Sequence, residues 1–317
     1  MDQVREVLRY YHYSKRTEEA YTRWIREFIF FHQKKHPKDM GKQEVEAYLS
    51  HLAVHRNVAA STQSQAFNAL LFLYRQVLAL PFADDMAPVR SKKPVRLPVV
   101  LSKNEVTRML ASMQGTTGLM ARMMYGGGLR LMELLRLRVQ DIDFDQGLLM
   151  VRSGKGDKDR STLLPISVRH ELQTHLQQVY LMFTEDLQQG HANVWLPSAL
   201  AKKYTNASKS WEWQYVFPSK KLSNDPENNQ IRRHHVNESG LQKAIRAAKI
   251  KAAISKKVTS HTFRHSFATH LLESGTNIRV VQKLLGHNDV KTTEIYTHVL
   301  QQNLTSVQSP LDQLEDC

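Results

Sequence analysis

The sequence predicts a mainly α fold in two domains: an N-terminal helical bundle, then a larger α-rich domain containing a small β-hairpin. Three observations support this prediction. Apolar residues recur at helical spacing along most of the 317 residues. A stretch rich in proline, lysine and arginine interrupts that pattern between Pro88 and Pro98. Further along, a glycine-rich turn separates two short strand-like segments, which indicates the hairpin.

Residues 1–88 are predicted to form a bundle of three or four helices. Tyr21, Trp24, Ile25 and Phe28 follow an i, i+3, i+4, i+7 pattern behind Thr17, the expected N-cap. Similar stripes predict a helix around residues 45–52 and another opening near residue 61. The aromatic stripes are expected to be core. The other faces carry the better candidates for polyanion binding, namely Lys15, Arg16, Arg23, Lys34 and Lys35.

Residues 89–100 are predicted to be an interdomain linker, because prolines hold a chain extended and cations keep it solvated. The second domain, residues 101–317, is expected to open with a capping box formed by Ser102 and Glu105. Its predicted elements are a helix ending at 126–128, a helix from 129, strands at 148–152 and 160–164, a long helix at 167–187, an irregular aromatic segment at 190–235, and helices from 240 onward with Gly275 and Gly286 as C-terminal caps.

The charge balance indicates a polyanionic partner. The chain has 44 Lys and Arg against 30 Asp and Glu, a net charge of +14, and nucleic acid is the first interpretation. A basic protein without such a partner is the alternative. The one cysteine, Cys317, excludes an intrachain disulfide and a cysteine-rich zinc site. Without a long apolar run or a signal-peptide pattern, we expect a cytoplasmic protein with no membrane partner.

Six residues in the second domain form a pattern typical of phosphodiester chemistry: Arg130, Lys155, His261, Arg264, His287 and Tyr296. Cleavage without a metal needs charge stabilisation at phosphorus, a nucleophile that loses a proton, and a leaving oxygen that gains one. Each residue alone is more often structural, since a single arginine usually forms a surface ion pair and a helical tyrosine is usually core. Their order and joint spacing favour the functional interpretation.

The residue types suggest individual roles. Arg130 and Arg264 match phosphate oxygens bidentately and stay charged. Lys155, in a glycine-flanked turn, is a candidate to protonate the departing 5′-oxygen. His261 suits acid/base work because imidazole titrates near neutrality, and His287 is a candidate hydrogen-bond donor to the phosphate. Tyr296 is the candidate nucleophile. No metal or other cofactor is predicted, because the histidines lack carboxylates at metal-binding spacing.

These motifs resemble the tyrosine recombinases, the family of the phage integrases and Xer proteins. The resemblance rests on Gly-Gly-Leu-Arg130-x-x-Glu133-Leu, Gly-Lys155-Gly-x-Lys-x-Arg, His261-x-x-Arg264-His-x-Phe-Ala-Thr-His and Leu-Gly-His287-x8-Tyr296, and it covers nearly the whole chain. Phe263 departs from the more usual leucine. The resemblance implies the tyrosine recombinase fold, the six residues as catalytic set, a 3′-phosphotyrosyl intermediate, and no need for ATP or metal.

A finer resemblance concerns the aromatic insertion at residues 190–235. Its segments around Trp195, Trp211, Trp213 and His234 look like the extra insertion of integron integrases. This implies a bacterial enzyme that integrates and excises gene cassettes, acting on folded single-stranded hairpins as well as duplex DNA. Trp and His stack on unpaired bases. The candidate DNA-binding residues are Trp211, Trp213, His234, His235, Lys202 and Lys203; simple anchoring of a long loop is the alternative for the tryptophans.

The C-terminal segment at residues 300–317 carries an apolar stripe of Leu300, Leu304, Val307, Leu311 and Leu314. The resemblance implies that this tail docks on the next subunit in trans, giving a homotetramer on DNA; packing on its own domain is the alternative. Three other functions stay open: a Xer- or phage-type duplex recombinase, a type IB topoisomerase-like enzyme, and a non-enzymatic DNA-binding protein.

Overall fold

The computed structural model describes residues 1–80, 98–152, 159–226 and 228–297. The chain divides into two compact units, residues 1–96 and 97–317. Helices dominate the described residues and the strands form two small antiparallel sheets, which confirms the mainly α prediction. Most of the predicted linker, the hairpin turn with Lys155, and the C-terminal tail lie outside the described residues.

Four helices of the N-terminal unit enclose one apolar core in its described part. They are α1 (Asp2–Tyr10), α2 (Lys15–Phe31), α3 (Lys42–Val54) and α4 (Ala60–Phe72), the last continuing into a π-helical turn at Leu73–Val77. Trp24, Ile25 and Phe28 are buried, as expected from their spacing. Ser14 caps α2, because its side-chain oxygen accepts the Thr17 N–H; the prediction that Thr17 is the cap is wrong.

The C-terminal unit is built around the packing of two helices, α6 and α11. Its described helices are α5 (Lys103–Ala111), α6 (Gly115–Gly127), α7 (Leu131–Leu135), α8 (Arg169–Gln188), α9 (Ser198–Lys203), α10 (Glu238–Lys251), α11 (Ser260–Glu273), α12 (Ile278–Leu285) and α13 (Lys291–Glu294). The predicted capping box is present, since Ser102 and Glu105 bond reciprocally at the start of α5.

The predicted hairpin forms the larger sheet. Strands β1 (Ile142–Asp143), β2 (Leu148–Val151) and β3 (Arg160–Leu163) pair antiparallel in the order β1-β2-β3. The register places Val151 opposite Arg160. In the aromatic segment, β4 (Ser223–Asn224) and β5 (Ile231–Arg232) form a second, two-stranded sheet. No helix in the described part of the chain is long and apolar enough to span a membrane.

Candidate active site

Helix α11 supplies the centre of the site. His261, Arg264 and His265 lie within its first turns, and helical geometry brings positions three and four apart onto one face. The Arg264 side chain is buried, with 3% of the residue exposed. Its guanidinium donates hydrogen bonds to the carbonyl oxygens of Gly128, at 2.7 Å, and Leu285. A buried cation is thus oriented by backbone acceptors from two other elements.

Two glycines let the chain reverse beside this guanidinium. Gly128 follows α6 with φ +60°, and a Cβ there would come within 2.5 Å of the Phe267 ring. Gly286 ends α12 with φ +63°, and a Cβ there would lie 2.6 Å from Arg160. Both positions need a left-handed backbone and have no room for a side chain. The motif glycines therefore position the acceptors of Arg264 and, at Gly286, the adjacent His287.

Glu133 joins three arginines through one buried carboxylate. Its oxygens accept from Arg130 at 2.6 Å and from Arg160 at 2.7 and 2.9 Å, and Arg264 lies 3.7 Å away. Burial alone would raise the pKa of Glu133, but the hydrogen bonds and charges of Arg160 and then Arg130 lower that pKa to about 2. The carboxylate is therefore ionised at neutral pH and holds the guanidinium groups close together.

This cluster carries more positive than negative charge. Burial and the nearby charge of Arg130 lower the pKa of Arg264 to about 9, even though Glu133 opposes that change. Repulsion between cations held this closely makes the cluster suited to an anion, because a phosphate would offset the repulsion and accept guanidinium hydrogen bonds.

His287 is oriented by both of its ring nitrogens. The Nε2 atom lies 3.2 Å from an Arg264 nitrogen, and Nδ1 lies 2.9 Å from the Thr293 hydroxyl. Since a guanidinium always donates, Nε2 is the acceptor and Nδ1 carries the proton in the neutral ring. His287 therefore supports Arg264 in this arrangement.

Tyr296 lies just beyond the end of α13, beside these groups, and is 2% exposed. Its hydroxyl is 2.8 Å from His265 Nδ1, and its ring is nearly parallel to His287, with centroids 6.5 Å apart. Burial raises the pKa of the Tyr296 phenol, while the charges of Arg264 and Arg130 act to lower it. The candidate nucleophile is therefore in the electrostatic field of both candidate phosphate-binding arginines.

His261 completes the group at the start of α11. Its ring is more exposed than that of His265, and the two ring centroids are 6.4 Å apart. Partial burial, with the charges of Arg264 and Arg130, lowers the pKa of His261 below its usual value. The imidazole is therefore neutral at neutral pH and able to accept a proton.

The aromatic insertion is fixed to the domain by Arg138. The guanidinium donates to the carbonyl oxygens of Trp213, at 2.6 Å, and Trp195, at 2.9 Å, and stacks over the Tyr215 ring at 4.0 Å. Asp141 accepts a hydrogen bond from the Arg138 backbone N–H and so fixes the main chain from which this guanidinium extends. The main chain next to the predicted DNA-binding residues is therefore well ordered by internal bonds.

The predicted insertion residues fall into separate settings. Trp211 packs against Tyr180 and Phe183 of α8, with ring centroids at 5.1 and 5.7 Å. Trp213, half-buried, faces Tyr204 instead, at 6.0 Å. His234 and His235 lie 4.1 Å apart against Tyr215. Lys202 and Lys203 are exposed at the end of α9.

Comparisons with known proteins show the family of this chain. The sequence profile described as "Phage integrase family" matches residues 99–303, and "Phage integrase, N-terminal SAM-like domain" matches residues 1–84. An "Integrase/recombinase" of Escherichia coli is 48% identical over 316 residues, which span 99% of this chain and 93% of that protein. The chain belongs to the phage integrase family.

More distant matches extend over similar lengths. "Tyrosine recombinase XerD" of Lacticaseibacillus casei is 32% identical over 86% of this chain and 82% of its own. A lambda integrase dimer bound to a COC' core site has the same fold, with a TM-score of 0.61 at 15% identity over 93% of each chain. The present protein is accordingly a tyrosine site-specific recombinase, an enzyme that cleaves and rejoins DNA strands.

The structure brings five of the six predicted catalytic residues of this phage integrase family member together, namely Arg130, His261, Arg264, His287 and Tyr296. Lys155 lies outside the described residues. The sequence motifs had assigned no role to His265, which contacts the Tyr296 phenol. They had also assigned none to Glu133, the carboxylate that the arginines share, or to Arg160, which bonds to it. The adjacency of His265 to Arg264 and its four-residue spacing from His261 were the available signals, but the meeting with Tyr296 depends on where α13 packs.

Proposed function

We propose that Tyr296 attacks a DNA phosphodiester and forms a 3′-phosphotyrosyl link, releasing a 5′-hydroxyl. Strand exchange follows when the partner strand's 5′-hydroxyl attacks that link. The energy of the broken bond is retained in the new ester, so rejoining needs neither ATP nor metal. The observation that carries the proposal is the position of the Tyr296 phenol, whose ring is nearly parallel to that of His287 and which lies in the field of the buried Arg264 and its arginine cluster.

The other residues have complementary proposed roles. Arg130 and Arg264 stabilise the negative charge that develops on the phosphate oxygens, and Lys155 protonates the 5′-oxygen as it leaves. His261 gives acid/base or hydrogen-bond support. His287 orients Arg264, and it donates to a phosphate oxygen through Nε2 once that nitrogen is protonated or the ring turns.

The test is covalent trapping on a nicked suicide substrate, followed by mapping of the modified residue. We expect the wild-type chain to form an adduct at Tyr296, and Tyr296→Phe to form none while still binding DNA, since the phenol oxygen is the attacking atom. Tyr125→Phe is the matched control, because Tyr125 also bonds a histidine of α11, His270, at 2.8 Å. An adduct at another residue, or one that survives Tyr296→Phe, contradicts the proposal.

We further propose that the recombinase integrates and excises gene cassettes, and that it acts on folded single-stranded hairpins with extrahelical bases as well as on duplex sites. Support comes from the aromatic insertion. Trp211, Trp213, His234 and His235 are partly exposed rings on an ordered support, and Lys202 and Lys203 are cations at its edge. Aromatic and imidazole rings bind unpaired bases by stacking, at about 1–3 kcal/mol per base.

A Xer-type recombinase acting only on duplex sites is the second candidate. The observation that favours it is the 28–32% identity to XerA and XerD proteins over most of the chain. Parallel assays separate the two, since only the first predicts recombination of a folded single strand. In either case we propose that the enzyme works as a homotetramer on DNA, with the 300–317 tail docked on the neighbouring subunit.

A further inference from the structure

We propose that His265 accepts the proton of the Tyr296 hydroxyl during strand cleavage. This inference rests on the proposed function, because it assigns a role within the same reaction. His265 lies outside the six motif residues, and its neighbour His261 would be the choice from motif logic alone.

Geometry distinguishes His265 from the other histidines of the site. Its Nδ1 atom is 2.8 Å from the Tyr296 hydroxyl oxygen, a normal hydrogen-bond length. The His261 ring centroid lies 6.4 Å from that of His265, and among the described residues the hydrogen bond of the Tyr296 hydroxyl is made with His265 and not with His261. Both nitrogens of His287 are engaged, one with Arg264 and the other with Thr293. Among the described residues, His265 is therefore the titratable group in hydrogen-bond contact with the reacting oxygen.

The environment of His265 leaves its ring uncharged, and the negative charge of a phosphate bound beside Arg264 raises the basicity of that ring for the proton transfer. Burial, then the charges of His261 and Arg264, lowers the pKa of His265 to about 4. The ring is therefore neutral at pH 7. When its proton is on Nε2, Nδ1 presents a lone pair to the phenol. His265 directly follows the buried Arg264 on the same helix. The proton acceptor and the phosphate-binding cation are therefore held close to each other.

The proposed step balances as follows. The Tyr296 O–H bond breaks and an N–H bond forms at His265 Nδ1. The phenolic oxygen bonds to phosphorus as the bond from phosphorus to the 5′-oxygen breaks, and the leaving oxygen takes a proton from another group, for which Lys155 is proposed. In rejoining, the attacking 5′-hydroxyl gives its proton back to the group that supplied it, and protonated His265 returns its proton to the departing phenolic oxygen.

The experiment measures single-turnover adduct formation by the full chain on a nicked suicide duplex. His265→Asn keeps a hydrogen-bond acceptor close to the Nδ1 position but is not basic. We expect it to bind DNA normally and to form the adduct about 100-fold or more slowly, the range for loss of a general base. His265→Ala is expected to be as slow, and added imidazole is expected to accelerate it by occupying the vacated space.

His270→Asn is the matched control. It alters the same kind of tyrosine–histidine hydrogen bond, 2.8 Å long, on the same helix but outside the arginine cluster. We expect its adduct formation to stay near the wild-type rate. Because both substitutions lie on α11, this control shows whether a general loss of helix stability is enough to slow the reaction. Thermal melting and DNA-binding measurements on all variants separate folding defects from chemistry.

Three outcomes overturn the inference. A wild-type rate for His265→Asn means that an acceptor of the right shape suffices, so that His265 only positions the phenol. A variant faster than wild type means that the contact restrains Tyr296. Absence of imidazole acceleration in a folded, DNA-binding His265→Ala excludes proton acceptance. If the wild-type chain itself forms no adduct, the proposed function fails instead.

Discussion

At the scale of single residues, Glu133 determines how the arginines of the site are arranged. Arg130, Arg160 and Arg264 come from a helix start, a strand and another helix, and all three converge on this one carboxylate. A single acidic side chain thus replaces separate partners for each cation. Removing one partner of a buried ion-paired group usually lowers the free energy of unfolding by more than the intact group adds to it. The reason is that the remaining buried charges are left uncompensated.

Glu133→Gln is expected to lower the free energy of unfolding at pH 7 by about 3 kcal/mol, the typical cost of breaking a buried ion pair. The native pKa of Glu133 is about 2 against an ordinary value of 4.5, so its stabilising contribution is present above pH 4.5 and disappears as pH falls toward 2. Denaturant unfolding of wild type and variant at a series of pH values is therefore expected to show a difference that shrinks on acidification.

Glu171→Gln serves as the control for Glu133→Gln. Its ion pair with Arg122 is considerably more exposed, so its loss is expected to cost less than about 1 kcal/mol. A Glu133→Gln defect that stays constant from neutral pH down to acid conditions would contradict the ionised, multiply paired state of this carboxylate.

At the scale of elements, the insertion combines anchoring rings with rings that are better placed for DNA. Trp211 packs on α8 and contributes to the main core. Trp213 and the His234–His235 pair lie on the Arg138-supported segment, where Trp213 faces Tyr204 and the histidines face Tyr215. Loop anchoring and base binding were alternative interpretations of the sequence, and the contacts support anchoring for Trp211 in particular.

Trp213→Ala and His234→Ala are expected to weaken binding to a hairpin with extrahelical bases by about 1–3 kcal/mol each, and to leave binding to a perfect duplex nearly unchanged. Paired gel-shift titrations measure both. Trp211→Ala is the comparison variant, expected to lower thermal stability because it removes core contacts. Equal losses on hairpin and duplex for the first two variants would refute base stacking.

Much of the fold and site follows from local sequence pattern. The capping box at Ser102, the hairpin strands and the glycine at the end of α6 were predictable because each depends on neighbours in sequence. The cap of α2 was misplaced by one turn, since both Ser14 and Thr17 carry suitable hydroxyls. The contact between His265 and Tyr296 was not predictable, because it links residues 31 positions apart and depends on tertiary packing.

At the scale of the whole molecule, the proposed assembly of this recombinase on DNA depends on its charge and on where its C-terminal tail docks. The net charge of +14 favours binding to the DNA backbone. The apolar spacing in the tail sequence, from Leu300 to Leu314, predicts a stripe that needs an apolar groove to cover it. Docking in trans would link each subunit to the next and close a ring, whereas docking in cis would leave subunits independent.

Deleting residues 301–317 is expected to abolish the pairing of two DNA sites while single-site binding persists, because the tail is proposed to connect subunits and not to hold DNA. Native gels with one and two labelled sites, across a protein titration, resolve the two events. Normal pairing of two sites by the truncated protein, or a loss of single-site binding as large as the loss of pairing, would rule out docking in trans.

The shared carboxylate of Glu133 also constrains how this enzyme can be modified. The stability of the domain and the proposed reaction both depend on Glu133 and its three arginines. A change to one arginine therefore also disturbs the other two and destabilises the domain. Selection for altered target choice will therefore recover substitutions in the insertion or on the N-terminal bundle, and the four members of this ionic group will change only in concert.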